Sequence, residues 1–431
     1  MKRQHPCLSA EHLMARRQLL GSLAGLGVAA TGMPSLYVSA FGQELQRQRK
    51  QMLIVYLDGG VSQLESWDPK PGTDTGGPFL AIPTSLPGVH ISELLPYTAQ
   101  QMHRLSLIRS INTRENNHAR GKYLMTRGRR QEQTTDYPHL GAVTAKMLSS
   151  AESLPGFIHL ESGRVLGGNP SPGGQDAAYL GPRYASVVID DGRPPKNTRR
   201  PQGLSAQADQ ARRAFRRRLN QRFSQRRSAA TEAYTYSFEQ AAQLMKQRVI
   251  FDVSRESQQD QARYGQQGFA RNCLLARRLL EHGITCVKLT HSNYDTHNEN
   301  FNFHLEQLGE FDRPFATLLD DLAQRGLLEH TLVIVMSEFG RTPQINQKLG
   351  RDHWGTAWSI ALAGCGIQTG AVIGKTNKNG TAVADHEVDH GRLFHTFLQA
   401  VGIDSSSHFA VGGRPIPVAD PAASPIEELL T

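Results

Sequence analysis

The sequence predicts an α/β fold with a mostly parallel central sheet, and three observations carry the prediction. Short, near-continuous apolar runs recur along the 431 residues, as strands buried on both faces should read. Segments with helical periodicity separate them, and that alternation builds parallel sheets through crossover helices. Several apolar runs end in an acid or run into loops rich in Asp and His, and in such sheets ligand groups gather at the carboxyl ends of strands.

Each element follows from its own pattern. The first strand lies in QMLIVYLDGG (51–60), whose apolar run stops at Asp58-Gly59-Gly60. Further strands are predicted in LSLIRSI (105–111), GFIHLE (156–161), ITCVKLT (284–290), TLVIVMSEF (331–339) and WSIALAG (358–364). Helices are predicted in YPHLGAVTAKMLSS (137–150), in ARNCLLARRLLEHG (270–283), closed by Gly283, and across 301–326, where Pro314 is expected to kink or split the helix. Residues 190–267 break the pattern as a polar, Arg-rich helical insertion. Within it, QARRAFRRRLNQRFSQRRS (210–228) places Phe215, Leu219 and Phe223 four residues apart, an apolar stripe on a very basic helix. The favoured reading is a solvated helix lying on the core; contact with an anionic surface is the alternative.

The first forty residues read as a leader rather than as fold. Arg16-Arg17 precedes a mild apolar stretch at 19–30, and VSA (38–40) offers a small-x-small cleavage site. The stretch is too short for a comfortable membrane span. A twin-arginine signal peptide at 1–40, one domain at 41–431, and export to the periplasm or beyond through the twin-arginine machinery are expected. Such export carries folded proteins, often with cofactor in place, which favours a metal or cofactor protein. The net charge of +9 suits anionic partners, and the leader argues against nucleic acid as one of them. Cys7 leaves with the leader, and Cys273, Cys286 and Cys365 sit in apolar contexts as small buried hydrophobes.

Three strand ends carry the same chemistry. The first presents Asp58, the second Asp295 and His297 in HSNYDTHNENF, and the third Glu338, with Asp352 and His353 one loop later. Carboxylate oxygens and imidazole nitrogens together suit Zn²⁺, Mn²⁺ or a related divalent ion, with Ca²⁺ or Mg²⁺ as further options. Arg341, three residues after Glu338, offers a cation for an anionic ligand. Asn116, Asn117, His118 and Arg120 fall at a strand-to-helix turn, where backbone N–H groups favour anions.

LDGGVSQLESWDPKPG, DTH, SEFGRTPQIN and GRDHWG, taken in order, resemble an exported bacterial family of unknown function within the alkaline phosphatase and sulfatase-like superfamily. The resemblance covers nearly the whole chain after the leader. It implies a three-layer α/β/α sandwich with one or two divalent metals at the carboxyl edge of the sheet, acting on phosphate or sulfate esters. By that resemblance Asp58 matches the first-strand metal acid, and Asp295 with His297 matches the pair that holds one metal. Glu338 stands where the superfamily has the Asp of an Asp-His pair, and Phe339 where it has the His. Asp352 and His353 are expected to restore that pair.

The superfamily's Ser, Thr or modified Cys nucleophile has no counterpart. ENNHARGKYLMTRG offers Asn117 and His118 instead, with Arg120 as its basic residue, and the absence of Cys-x-Pro-x-Arg excludes a formylglycine sulfatase. His118 is left as a ligand, an acid/base or a direct nucleophile, with water activated by metal as the alternative attack. Asp389-His390-Gly391 looks like a sulfatase Asp-His-Gly but follows a polar loop, and reads as the start of a helix. The expected function is an exported metal-dependent hydrolase of phosphate or sulfate esters. The alternative is a non-catalytic relative that binds a sulfated or phosphorylated glycan or a partner protein.

Overall fold

In this computed structural model the described residues are 50–149, 154–162, 176–190, 199–224 and 228–431. The predicted leader, with Arg16-Arg17, Cys7 and its cleavage site, lies outside them.

The chain lays down β1 (Gln51–Leu57), β2 (Leu105–Ile111), α1 (His118–Arg127), α2 (Leu140–Leu148), β3 (Phe157–Ser162) and β4 (Val187–Asp190). Then come α3 (Ala206–Ser224), α4 (Ser228–Lys246), α5 (Gly268–Glu281), β5 (Cys286–His291), α6 (Asn300–Gln324) and β6 (Thr331–Met336). The sheet closes with β7 (Trp358–Gly364) and β8 (Val372–Ile373), and α7 (His390–Ala400) follows. The eight strands are ordered β8-β2-β7-β6-β1-β5-β3-β4. Only β7 runs against the others, paired antiparallel to β2 and β6.

β1 is buried along its whole length, and its alternate residues feed two cores. Leu53, Val55 and Leu57 pack with Phe269 and Leu275 of α5 and with Phe311 and Phe315 of α6. Met52, Ile54 and Tyr56 pack with Leu140 and Val143 of α2 and with Leu393 and Phe397 of α7. Helices on both faces of one sheet make the three-layer α/β/α sandwich.

Two expectations are adjusted. Pro314 neither splits nor ends α6, which continues from Asn300 to Gln324 around it. The helix tolerates the lost N–H because Phe311, Phe315, Leu318 and Leu319 on the same turns are buried in the core. The edge strands β4 and β8 were not foreseen, since they are four and two residues long and carry too little pattern. Cys273, Cys286 and Cys365 are free and buried. Asp389 caps α7, its Oδ1 accepting from the Arg392 N–H at 2.9 Å, so Asp389-His390 is a helix start.

Candidate metal centre

β1, β5 and β6 lie side by side, run parallel and finish in step. Leu57 pairs with His291 and Tyr56 with Met336. The chain leaving each strand therefore carries Asp58, Asp295 and Glu338 to one edge. Gly59 turns the exit of β1 at φ +115°, and a Cβ there would stand 2.6 Å from the Asp295 nitrogen. A residue without a side chain is what lets these two exits pass so closely.

Two more segments complete the edge. α1 begins at His118, capped by Asn117, whose Oδ1 accepts from the Arg120 N–H at 3.2 Å. The loop at 351–354 returns to the edge through a short antiparallel pairing of His353 with Arg341 and Trp354 with Gly340. Arg351 anchors that loop from inside. Its guanidinium donates to Glu65 (Nη2–Oε1 2.8 Å) and to the carbonyls of Thr75 (2.8 Å), Thr342 (3.0 Å) and Pro343. Both partners of the Arg351–Glu65 pair are fully buried.

Three imidazoles converge on Asp295, and their outer nitrogens are all committed. His353 Nδ1 lies 2.7 Å from the carbonyl oxygen of Asn116, which can only accept, so Nδ1 carries the proton. His297 Nδ1 lies 2.6 Å from Asp352 Oδ1, and His118 Nδ1 lies 2.7 Å from Glu338 Oε1. Each ring is thereby turned so that Nε2 faces inward. His118 Nε2 and His353 Nε2 stand 3.3 Å from Oδ2 and Oδ1 of Asp295, and His297 Nε2 stands 3.1 Å from Oδ1. His297 Nε2 and His353 Nε2 face each other at 2.9 Å.

This donor set fits a divalent cation. In neutral rings the inward nitrogens present lone pairs to one another and to a carboxylate, an arrangement that needs positive charge at its centre. His118 Nε2 is buried and close enough to Asp295 to be attracted, but it is not aligned for a hydrogen bond with any group. Tetrahedral zinc ligands at about 2.0–2.2 Å from the ion stand roughly 3.3 Å apart, close to the spacings found here. Carboxylate and carbonyl acceptors on the outer nitrogens are the usual second layer of such sites. His118, Asp295 and His353 form a compact potential ligand group, with His297 directly beside it.

The electrostatics show how strongly negative this edge is. Burial disfavours a charged His118, but Asp295 and Glu338 outweigh it and push its pKa up to about 9. Burial would raise the Asp295 carboxyl, yet His118, His353 and Arg341 hold it well below the usual carboxylate range. Glu338 is buried and still held low, by His118 and Lys122. Beside this cluster, Lys122 Nζ meets Asp58 Oδ1 at 2.6 Å. Burial works against that ammonium, but Glu338 and Asp58 outweigh it and raise its pKa.

The residues singled out in the sequence therefore divide into groups. Asp295, His297 and His353 meet at one point, and His118 joins them. Glu338 and Asp352 stand one layer out, each accepting an imidazole N–H through one carboxylate oxygen. Asp58 is paired with Lys122.

Arg341 is corrected as a substrate anchor. It is fully buried, and its donors go to the carbonyls of Gly60 (2.8 Å), Arg351 (2.9 Å) and Gly59 and to Asp295 Oδ1 (2.6 Å). Four of its five guanidinium N–H groups are spent in these bonds, and its work is to hold Asp295. Asn117, expected as a catalytic group, gives its side-chain oxygen to the helix cap. Arg120 is exposed and turned onto Glu115, with Nε 3.1 Å from Oε2.

Lys122, Glu65, Arg351 and Asn116 were not assigned these roles from sequence. Lys122 had a legible signal: it follows His118 by four residues, which puts both on one side of α1. Glu65 and Arg351 had none, because 286 residues separate them.

An α/β/α sandwich with a His/Asp cluster at the carboxyl edge of its parallel strands is the class that fold and site define. The chain belongs to the family described as "Protein of unknown function (DUF1501)", whose profile matches residues 49–430. A comparison with curated proteins finds none that matches. Among solved structures the chain is similar to the lipoteichoic acid synthase LtaP from Listeria monocytogenes, at 8% identity and a TM-score of 0.41, covering 88% of this chain and 80% of that one. It is similar to the PsFucS1 sulfatase from Pseudoalteromonas sp., at 13% identity and a TM-score of 0.39, covering 86% and 72%. It is also similar to alkaline phosphatase from the Antarctic bacterium TAB5, at 12% identity and a TM-score of 0.37, covering 83% and 99%.

Proposed function

We propose that this is an exported metalloprotein that holds a divalent ion between His118, Asp295, His297 and His353 and hydrolyses phosphate or sulfate esters there. The observation that carries the reading is the convergence of three Nδ1-anchored imidazoles on one carboxylate. When bound, the ion supplies Lewis-acid chemistry, polarising an ester oxygen and making water a stronger acid. Zn²⁺ or Mn²⁺ suits the nitrogen-rich donor set best. Arg341 fixes Asp295 from behind, and Glu338, Asp352 and the Asn116 carbonyl fix the three rings. Lys122 neutralises Asp58 and so keeps that carboxylate from repelling an anionic substrate. Asp295 and His297 are partly exposed, which leaves the cluster open to solvent on one side.

One observation favours a second reading. The start of α1 presents His118, whose ring is tied to Glu338, in place of a hydroxyl or thiol nucleophile. That suits a protein that binds an anionic ester or glycan without turning it over.

Elemental analysis of the exported protein tests the metal, with about one divalent ion per chain expected. His353→Ala and Asp295→Ala should lose it while retaining the wild-type circular dichroism. A folded wild type without metal, which takes up none on titration with Zn²⁺ or Mn²⁺, sinks the proposal. Turnover of a panel of phosphate and sulfate esters then separates the readings: release of the alcohol supports the hydrolase, and inertness of the metal-loaded protein supports the binder.

A further inference from the structure

We propose that the outer side of α3 docks on an anionic lipid surface. This helix carries six arginines against one aspartate, Asp209. One side packs on α4, where Asn220 Nδ2 donates to Thr235 Oγ1 at 2.7 Å and the Arg216 guanidinium lies 4.1 Å from the centre of the Phe238 ring. The apolar stripe lies beside that packed side. Phe215, Leu219 and Phe223 are 57%, 38% and 63% exposed.

At about 100° per residue the stripe covers roughly 80° of the helix surface. Arg218 and Arg222 flank it on one side, both exposed, and the Arg218 guanidinium lies 5.9 Å from the Phe215 ring. Exposed Arg212 lies one turn ahead on the same face. Aromatic and aliphatic side chains bordered by long cations are what an interfacial helix needs. The rings enter the acyl boundary while the guanidinium groups reach back to lipid phosphates. No helix among the described residues is long and apolar enough to cross a membrane, so the contact is with a surface.

Charge complementarity selects this occupant. A second copy would bring two strongly cationic helices together. A soluble polyanion would pair with the arginines and leave both phenylalanines in water. An anionic bilayer satisfies both, and the chain's net charge of +9 adds attraction at longer range.

The test places a reporter in the stripe of the full chain, as Leu219→Trp, read against the three native tryptophans of the unsubstituted protein. On phosphatidylcholine vesicles containing phosphatidylglycerol, the reporter emission should shift to the blue and be quenched by brominated acyl chains. Affinity should fall about tenfold or more on phosphatidylcholine alone and weaken with salt. Adding Phe215→Ser and Phe223→Ser to the reporter chain should lower affinity by a similar factor without lowering the melting temperature. An unquenched reporter on vesicles that nevertheless carry the protein down overturns the proposal, since contact then lies elsewhere. So does a blue shift that grows with protein concentration in the absence of lipid, the mark of a second copy. So does an equal shift with dextran sulfate, the mark of a soluble polyanion.

Discussion

His297 and His353 face each other through their Nε2 atoms at 2.9 Å, and each is turned there by an acceptor on its other nitrogen. Fifty-six residues separate them in the chain. Their approach depends on two loops that leave neighbouring parts of one sheet edge, and on the groups that hold those loops still.

The acceptor behind His297 is the first point of test. Asp352→Ala removes the carboxylate that fixes the ring but lies on an exposed loop, so the fold should survive. Metal affinity should fall by roughly 10- to 100-fold, as for other residues that orient a ligating imidazole. Calorimetric titration with Zn²⁺ measures it, and an affinity within a factor of two of wild type would contradict the assignment.

The Arg351–Glu65 pair holds the His353 loop from the core. Glu65→Ala leaves a buried guanidinium without its carboxylate and should cost about 3–5 kcal/mol in urea unfolding. Replacing both, as Glu65→Leu with Arg351→Met, should be less damaging than the single change, because no charge is stranded.

Buried His304 predicts a pH dependence. Its Nδ1 donates to the Asn300 carbonyl at 2.9 Å and its Nε2 accepts from the Ser62 N–H at 3.0 Å, which fixes the neutral ring. Burial lowers its pKa from 6.5 to about 4. The folded state thus resists a proton that the unfolded chain accepts. The contribution is complete above pH 6.5 and is lost as pH falls toward 4, with a full size of about 3 kcal/mol. Chemical denaturation at pH 7 and pH 4.5 should show a smaller loss of stability in His304→Gln than in wild type.

Gly59 offers a backbone test. At φ +115°, with a Cβ only 2.6 Å from the Asp295 nitrogen, Gly59→Ala should cost roughly 1–3 kcal/mol and push the Asp295 loop away. Thermal unfolding and Zn²⁺ titration should both register the change. An unaltered metal affinity in a destabilised protein would show that the two exits move independently.

Much of the fold was legible because it rests on local patterns. A strand buried on both faces must be apolar throughout, and β1, β2 and β7 therefore announced themselves almost to the residue. The short edge strands β4 and β8 bury little and left no comparable trace. In the site, residue types were legible where roles were not. Glu338 and Asp352 looked like ligands because acids at strand ends often are, yet each gives one carboxylate oxygen to an imidazole N–H. Arg341 looked like an anion holder because it follows Glu338, yet it is buried among carbonyls.

By itself the sequence determined an α/β fold with a mostly parallel sheet, the edge at which chemistry gathers and the presence there of carboxylates and imidazoles. Hydrophobic period and strand length are properties of neighbouring residues, so one chain suffices to read them. Only the tertiary structure decided which imidazoles meet, that Lys122 neutralises Asp58 and that Arg341 is consumed in holding Asp295. Those outcomes depend on distances of a few tenths of an ångström between segments far apart in the chain. They are set by strand order, by Gly59 where two exits cross and by a buried Arg351–Glu65 pair, none of which leaves a pattern in local sequence.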